Sequence, residues 1–368
     1  MPVRRAAEDR LDNAPDQLMD LRRIVAHGID HAATGLARTF LLSRSQATSN
    51  TLEELQAYAA YDMQSLFGDD PGLPERVEAK ERRDLRGFRC TDLTFPSPHE
   101  VVSAPFRRLY DGAYQANDTV HARWVRHPDG RARATMVFLH SWMQPVSAFE
   151  DYFLLPRFAE ALDVDVVSLQ LPYHGRRKPA AAAFHGEYFW TADLVRTFEA
   201  MRQSVHDLRA LMHWIEQQTG NPVGVMGVSL GGMVSLATAC FEPKLAFCIA
   251  TAAHLDLAGV LTDAGLLLPL REELQGHGWR PEDVEAYTRG LGLDEVMPCI
   301  DRERLLFVVG RYDEILSTHR CEALWRRWGE PPIHRFNGGH LGILTHMPGT
   351  LRVARGFLAD LGLVETRA

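Results

Sequence analysis

The stretch that most constrains the fold is Val223-Gly-Val-Met-Gly-Val-Ser229-Leu-Gly-Gly-Met233. A short apolar run leads straight into Gly227-Val-Ser229-Leu-Gly231, and an apolar helical pattern, Met233-Val-Ser-Leu-Ala-Thr-Ala, follows. Strand, sharp turn and helix make the setting that a nucleophile elbow requires. So tight a turn strains the backbone of its central residue, so the flanking positions must be small. Gly227 and Gly231 supply that room, and Gly232 lets the helix approach the sheet. The turn lifts the Ser229 hydroxyl above the C-terminal edge of a sheet and aims a helix N-terminus at negative charge forming beside it. A glycine-rich turn with a capping serine also satisfies Gly-x-Ser-x-Gly, and it is the strand before and the helix after that favour a nucleophile. A phosphate-binding loop is disfavoured, because no Lys follows the glycines as in GxxxxGK[ST].

Around this turn the pattern alternates between strands and helices, which argues for an open, mostly parallel α/β sheet. Strands are expected at Arg86–Phe95, Val120–Arg126, Ala134–Leu139, Val164–Leu169, Val223–Met226, Ala246–Thr251, Leu305–Val309 and Ile333–Phe336. Several of the later ones are short and continuously apolar, as strands covered on both faces are. A long helix is expected from about Thr191 to Gln218, with one buried stripe through Leu194, Phe198, Met201, Val205, Leu208, Met212 and Ile215, and Gly220 as its stop. Residues 1–85 read differently, with helical stretches at Leu18–Ala26 and Leu52–Phe67 and no chemical motif. They are expected to form a helical extension packing on a catalytic domain at 86–368, a swapped or dimerising arm being the weaker reading.

Composition narrows the function. With 46% hydrophobic and 24% charged residues, the chain is an ordinary globular one rather than disordered, collagen-like or coiled-coil. A net charge of −8 argues against nucleic acid or an acidic membrane as main partner. No apolar run reaches the ~18–20 residues of a membrane span, and no secretory signal is visible at the start. Five cysteines, Cys90, Cys240, Cys248, Cys299 and Cys321, are widely spaced with no CxxC. They read as reduced, mostly buried thiols in a cytoplasmic protein, without metal ligation.

A serine nucleophile needs a general base, and the base an orienting acid, in the chain order Ser, acid, His. Gly310-Arg-Tyr-Asp313 follows one apolar strand and Asn337-Gly-Gly-His340 the next. Asp313 is therefore the expected acid, with Glu314 or Asp256 as substitutes, and His340 the expected base, with His346 as its nearest rival. Asp313 could otherwise cap the following helix. A tetrahedral intermediate also needs two backbone N–H donors. Leu230, after the nucleophile, and Trp142, in His140-Ser141-Trp142-Met143, are the candidates, with Met143 the alternative to Trp142. His140 reads as a brace for its loop. The cations Arg176, Arg177 and Lys178 read more readily as holding their own loop than as binding an anionic substrate.

Together, His140-Ser-Trp, Gly227-Val-Ser229-Leu-Gly231, Gly310-Arg-Tyr-Asp313 and Gly339-His340 resemble the α/β-hydrolase superfamily over about residues 86–365. Pro172-Tyr-His-Gly-Arg-Arg-Lys-Pro179 resembles a little-characterised branch that carries PYxGRRxP after strand four. The resemblance implies an eight-stranded, mostly parallel sheet flanked by helices, a Ser–Asp–His triad, and no metal or organic cofactor. Ser141 departs from the usual glycine after the histidine. The insertion at His254–Ile300, with apolar Ala258–Leu270 and helix-like Pro281–Leu291, is expected to form a helical cap, and Leu266-Leu-Leu-Pro-Leu270 suggests an apolar acyl pocket. The expected function is hydrolysis of a small-molecule carboxylic ester. Thioesterase, lactonase, amidase and acyltransferase activities share the mechanism; a peptidase fits less well, and a non-catalytic binding protein of the same fold is the reading from another class. A homo-oligomer stays open.

Overall fold

The computed structural model describes residues 23–32, 34–35, 55, 58, 61–144, 153–280, 282–283 and 292–366. In chain order its strands are β1 Glu78–Leu85, β2 Phe88–Pro96, β3 Thr119–Arg126, β4 Thr135–Leu139, β5 Asp165–Leu169, β6 Val223–Val228, β7 Cys248–Thr251, β8 Leu305–Gly310 and β9 Ile333–Phe336. They form one nine-stranded sheet in the order β1-β2-β3-β5-β4-β6-β7-β8-β9. β1, β2 and β3 are antiparallel, as are β3 and β5, while β4 to β9 run parallel. Every residue of β4 to β8 is buried, which is why those segments are mostly apolar.

The principal helices are α1 Ala104–Ala113, α2 Leu155–Leu162, α3 Leu194–Thr219, α4 Leu230–Phe241, α5 Leu257–Asp263, α6 Leu268–Gly276, α7 Thr318–Arg327 and α8 Ile343–Asp360. The strands send alternate side chains into two cores. Val137 and Leu139 pack with α3 and α4, and Met136 and Phe138 with α2 and α8. Since β4 is followed by β5 on one side and β6 by β7 on the other, the chain reverses direction across the sheet between β4 and β6. In an open α/β sheet the crevice at such a point, beyond the strand C-termini, is where ligands sit.

Two expectations need correction. The sheet has nine strands where the resemblance implies eight. The single strand expected at Arg86–Phe95 is instead a hairpin, with β1 running through the end of the segment assigned to the helical extension. Arg86 (φ 52°) and Gly87 (φ 90°) supply the positive φ at both central residues of a two-residue loop, and Leu85 pairs with Phe88 across it. β1, Glu-Ala-Lys-Glu-Arg-Arg-Asp-Leu, is exposed along nearly its whole length and so has no apolar alternation to betray it. Its charges suit an edge strand that must not pair further.

Helix α3 also differs from its expected single stripe. Asp193 caps it by accepting from the Arg196 N–H, and Gly220 ends it at φ 68°, but its polar face is buried too. Glu199 accepts from Tyr58, Arg202 donates to the Leu66 carbonyl, and Arg209 donates to the Phe67 carbonyl and to Glu242. Residues ahead of the sheet cover that face, each charge finding a partner as burial demands. Of the extension, residues 23–32 are helical; most of Leu18–Ala26 and nearly all of Pro281–Leu291 lie outside the described residues. Among the described residues no helix is long and apolar enough to cross a membrane.

Arg177 meets α3 through a further buried pair. It is fully buried, 2.7 Å from Asp207 of α3, and donates to the Gln170 and Asn117 carbonyls. Removing one partner of such a pair strands the other without water. Arg177→Ala should lower stability by about 3–5 kcal/mol, read as a fall in the urea midpoint; an unchanged midpoint would count against the pair as the anchor of this loop.

Candidate active site

Ser229 sits where β6 ends and α4 begins, with φ 55° and ψ −115°. A non-glycine residue held there costs on the order of 1–3 kcal/mol. The surroundings fix it: its N–H donates to the Thr251 carbonyl and its carbonyl accepts from the Met233 N–H, both at 2.9 Å. The glycines are required by close approach. A Cβ on Gly227 would stand 2.1 Å from the Gly231 carbonyl oxygen, and one on Gly231 would stand 2.1 Å from that of Leu139. On Gly232 it would stand 2.7 Å from the Ala253 Cβ.

His340 follows β9 in a loop shaped by Gly338 and Gly339, and Asp313 follows β8. The structure brings the two together with Ser229. His340 Nε2 is 3.0 Å from Ser229 Oγ, and His340 Nδ1 is 2.8 Å from Asp313 Oδ2. The other Asp313 oxygen accepts the Ile315 and Leu316 N–H groups at 3.0 and 2.9 Å. Asp313 is thus both the turn cap and the imidazole's partner. With Nδ1–H donating to Asp313, Nε2 is left to accept from the serine hydroxyl. Burial pushes the His340 imidazolium down, but the charge and hydrogen bond of Asp313 and the charge of Asp30 outweigh it, leaving the pKa raised above 6.5.

The alternative acids are engaged elsewhere. Asp256 caps α5 by accepting from the Gly259 N–H and is paired with Arg320, while Glu314 pairs with His27 and His31. His346 bonds the Gly342 carbonyl and lies against Phe336.

Leu230 is the first residue of α4, where N–H groups have no partner within the helix. On the β4 side the Ser141 N–H donates to Gln144 Oε1. That occupies the amide of the residue standing where glycine is usual, so Trp142 and Met143 (φ 60°) are the next amides along. The Trp142 indole is tied to the Gly186 carbonyl at 2.8 Å. His140 braces this loop: Nδ1 lies 2.9 Å from the Ser141 carbonyl, and Nε2 accepts the Leu171 N–H at 3.1 Å. Burial holds its pKa down at about 4, so it stays neutral. The loop cations are engaged by other partners. Arg176 lies 3.8 Å from Asp92, Arg177 is buried against α3, and Lys178 donates to the Ala182 carbonyl.

Beside Ser229 lies a small cleft, partly open to solvent, lined by Trp142, Trp190, Met233, Val260, Leu266 and Ile315 among others. Helix α5, through Val260, and the turn after it, through Ala264, Leu266 and Leu267, therefore line the cleft beside the serine. Trp190 and Ile315 carry no sequence signal for this role, because loops between elements bring them in. Asp30 was also missed: its carboxylate accepts the His340 N–H at 2.8 Å and the Leu341 N–H at 3.2 Å.

Residues 136–358 match the Alpha/beta hydrolase family. That span exceeds half the chain, and the chain belongs to this family. The uncharacterized protein Rv2627c of Mycobacterium tuberculosis is 28% identical over 311 residues, covering 81% of this chain and 70% of the relative. Among solved structures, acetyl xylan esterase 1 from Thermoanaerobacterium sp. superposes with a TM-score of 0.54 at 15% identity, covering 87% of this chain and 98% of that one. An acetyl xylan esterase from Paenibacillus sp. R4 gives 0.53 at 11%, covering 86% and 98%. At such identities the likeness is one of fold.

Proposed function

We propose that the protein is a serine hydrolase that cleaves a carboxylic ester through an acyl-enzyme on Ser229. The observation that carries this reading is the hydrogen-bonded line Ser229–His340–Asp313 at 3.0 and 2.8 Å, set on a strained elbow at the sheet's switch point. As Ser229 Oγ attacks the carbonyl, its proton passes to His340 Nε2. The oxyanion forms between the Leu230 and Trp142 amides, each such donor being worth ~3 kcal/mol of barrier. The tetrahedral intermediate then expels the alcohol, which takes the proton from His340. Water, losing a proton to the same nitrogen, attacks the acyl-enzyme, and Ser229 Oγ leaves with that proton as the acid is released. Both solved proteins of like fold are named as esterases, which favours an ester over the other acyl compounds open to this mechanism. In this reading the cap at about 254–300 closes over a catalytic domain to which the residues ahead of β1 are appended, and its mostly buried thiols suit the cytoplasm.

The cleft selects the acyl group. Its lining is apolar and offers no cation, and the large side chains of Trp142, Trp190, Leu266 and Ile315 crowd the space beside Ser229. Hydrolysis of p-nitrophenyl esters from acetate to palmitate should therefore favour acetate, butyrate and hexanoate. Leu266→Trp, which narrows the cleft, should move the optimum to still shorter chains. A preference for palmitate, or an optimum unmoved in Leu266→Trp, would mean the acyl group lies elsewhere. No turnover of any ester and no fluorophosphonate labelling of Ser229 would sink the hydrolase reading and favour a non-catalytic binding protein.

A further inference from the structure

We infer that Asp30 is a positioning residue for His340, so that the segment ahead of the sheet completes the site rather than merely packing beside it; this rests on the hydrolase reading above. Asp30 stands 310 residues before His340, on the helical residues 23–32, and is only 2% exposed. One carboxylate oxygen accepts the His340 N–H at 2.8 Å and the other accepts the Leu341 N–H at 3.2 Å. The base loop is shaped to admit it, since a Cβ on Gly339 would come within 2.3 Å of Asp30 Oδ2. The same helix reaches the acid loop, where His27 and His31 lie 3.0 and 3.4 Å from Glu314, the neighbour of Asp313. One helix thus holds both loops of the proton relay.

A neutral acceptor could hold one amide without the cost of desolvating a charge. A carboxylate holds both and adds negative potential beside an imidazole that must become a cation during the reaction. The two amides stabilise the charged form of Asp30, although burial together with the nearby Asp313 leaves its pKa raised. The titratable groups meeting at this junction are Asp30, Asp313, His340 and Glu314 with His27 and His31.

The test uses the full chain with Asp30→Asn, Asp30→Ala and Gly339→Ala, the last displacing the carboxylate without deleting it. Active sites are counted with a fluorophosphonate, so that loss of folded protein is not read as loss of rate. Per active site, kcat should fall between about 10- and 100-fold, as for misplaced catalytic groups, with KM little changed and Asp30→Ala worse than Asp30→Asn. The acid limb of kcat/KM should move to lower pH in both Asp30 variants. NMR titration of ¹³C-labelled histidine, with His340 assigned through His340→Gln, should show the same displacement. Unchanged kcat per active site, or a loss confined to the count of active sites with His340 titrating as in wild type, would overturn the proposal. If the wild type proves inactive and unlabelled, the hydrolase reading fails on that result, and the His340 titration still decides whether Asp30 acts on it.

Discussion

Ser229→Ala should abolish ester hydrolysis and fluorophosphonate labelling while leaving the circular dichroism spectrum and the melting temperature close to wild type. The substitution removes one oxygen from a half-buried side chain and creates no cavity in the core. It also keeps a Cβ at the strained position, so the backbone cost at φ 55° stays the same. His340 would keep its bond to Asp313 and lose only the hydroxyl at 3.0 Å. The loss should be large, about 10⁶-fold if the serine acts as it does in subtilisin, with a residue of catalysis left to the amides and to binding. A rate near wild type in Ser229→Ala would place the nucleophile elsewhere and with it the whole assignment of roles.

How much of this was legible in the sequence depended on whether the signal was local. The elbow was readable because strand, glycines and helix are contiguous, and the central strands because burial on both faces leaves them mostly apolar. His340 and Asp313 could be placed because each closely follows such a strand. β1 escaped because an exposed edge strand, here charged at most positions, carries no apolar alternation. The polar face of α3 read as solvated, yet Tyr58 and Arg177 cover it from far along the chain. Asp30 was invisible for the same reason: an isolated acid in a segment without motifs has no local pattern, and only tertiary contact gives it a partner. The cleft lies between these cases, since Leu266 and Leu267 were expected to line it whereas Trp190 and Ile315 arrive from loops.

Asp313→Asn should lower kcat by ~10⁴-fold, the loss seen when the acid of a serine protease triad becomes an amide. Asp313 accepts the Nδ1 proton of His340 at 2.8 Å, which keeps Nε2 free to take the serine proton. An amide in its place can turn its NH₂ toward Nδ1 and so favour the tautomer whose Nε2 already carries a proton. Asp313 also stabilises the imidazolium, so its effect on pH dependence has a definite sign. His340 must be neutral to act as base, and its raised pKa means that wild-type kcat/KM should climb with pH through a value above 6.5. Without the carboxylate charge the imidazolium is less stable, and the residual activity of Asp313→Asn should climb at lower pH than wild type. The fold should change little, because the asparagine oxygen can still accept the Ile315 and Leu316 N–H groups that Asp313 Oδ1 now holds. If Glu314→Gln or Asp256→Asn produced the larger loss instead, the orienting acid would be that residue and the line through Asp313 would be only a turn cap meeting a histidine.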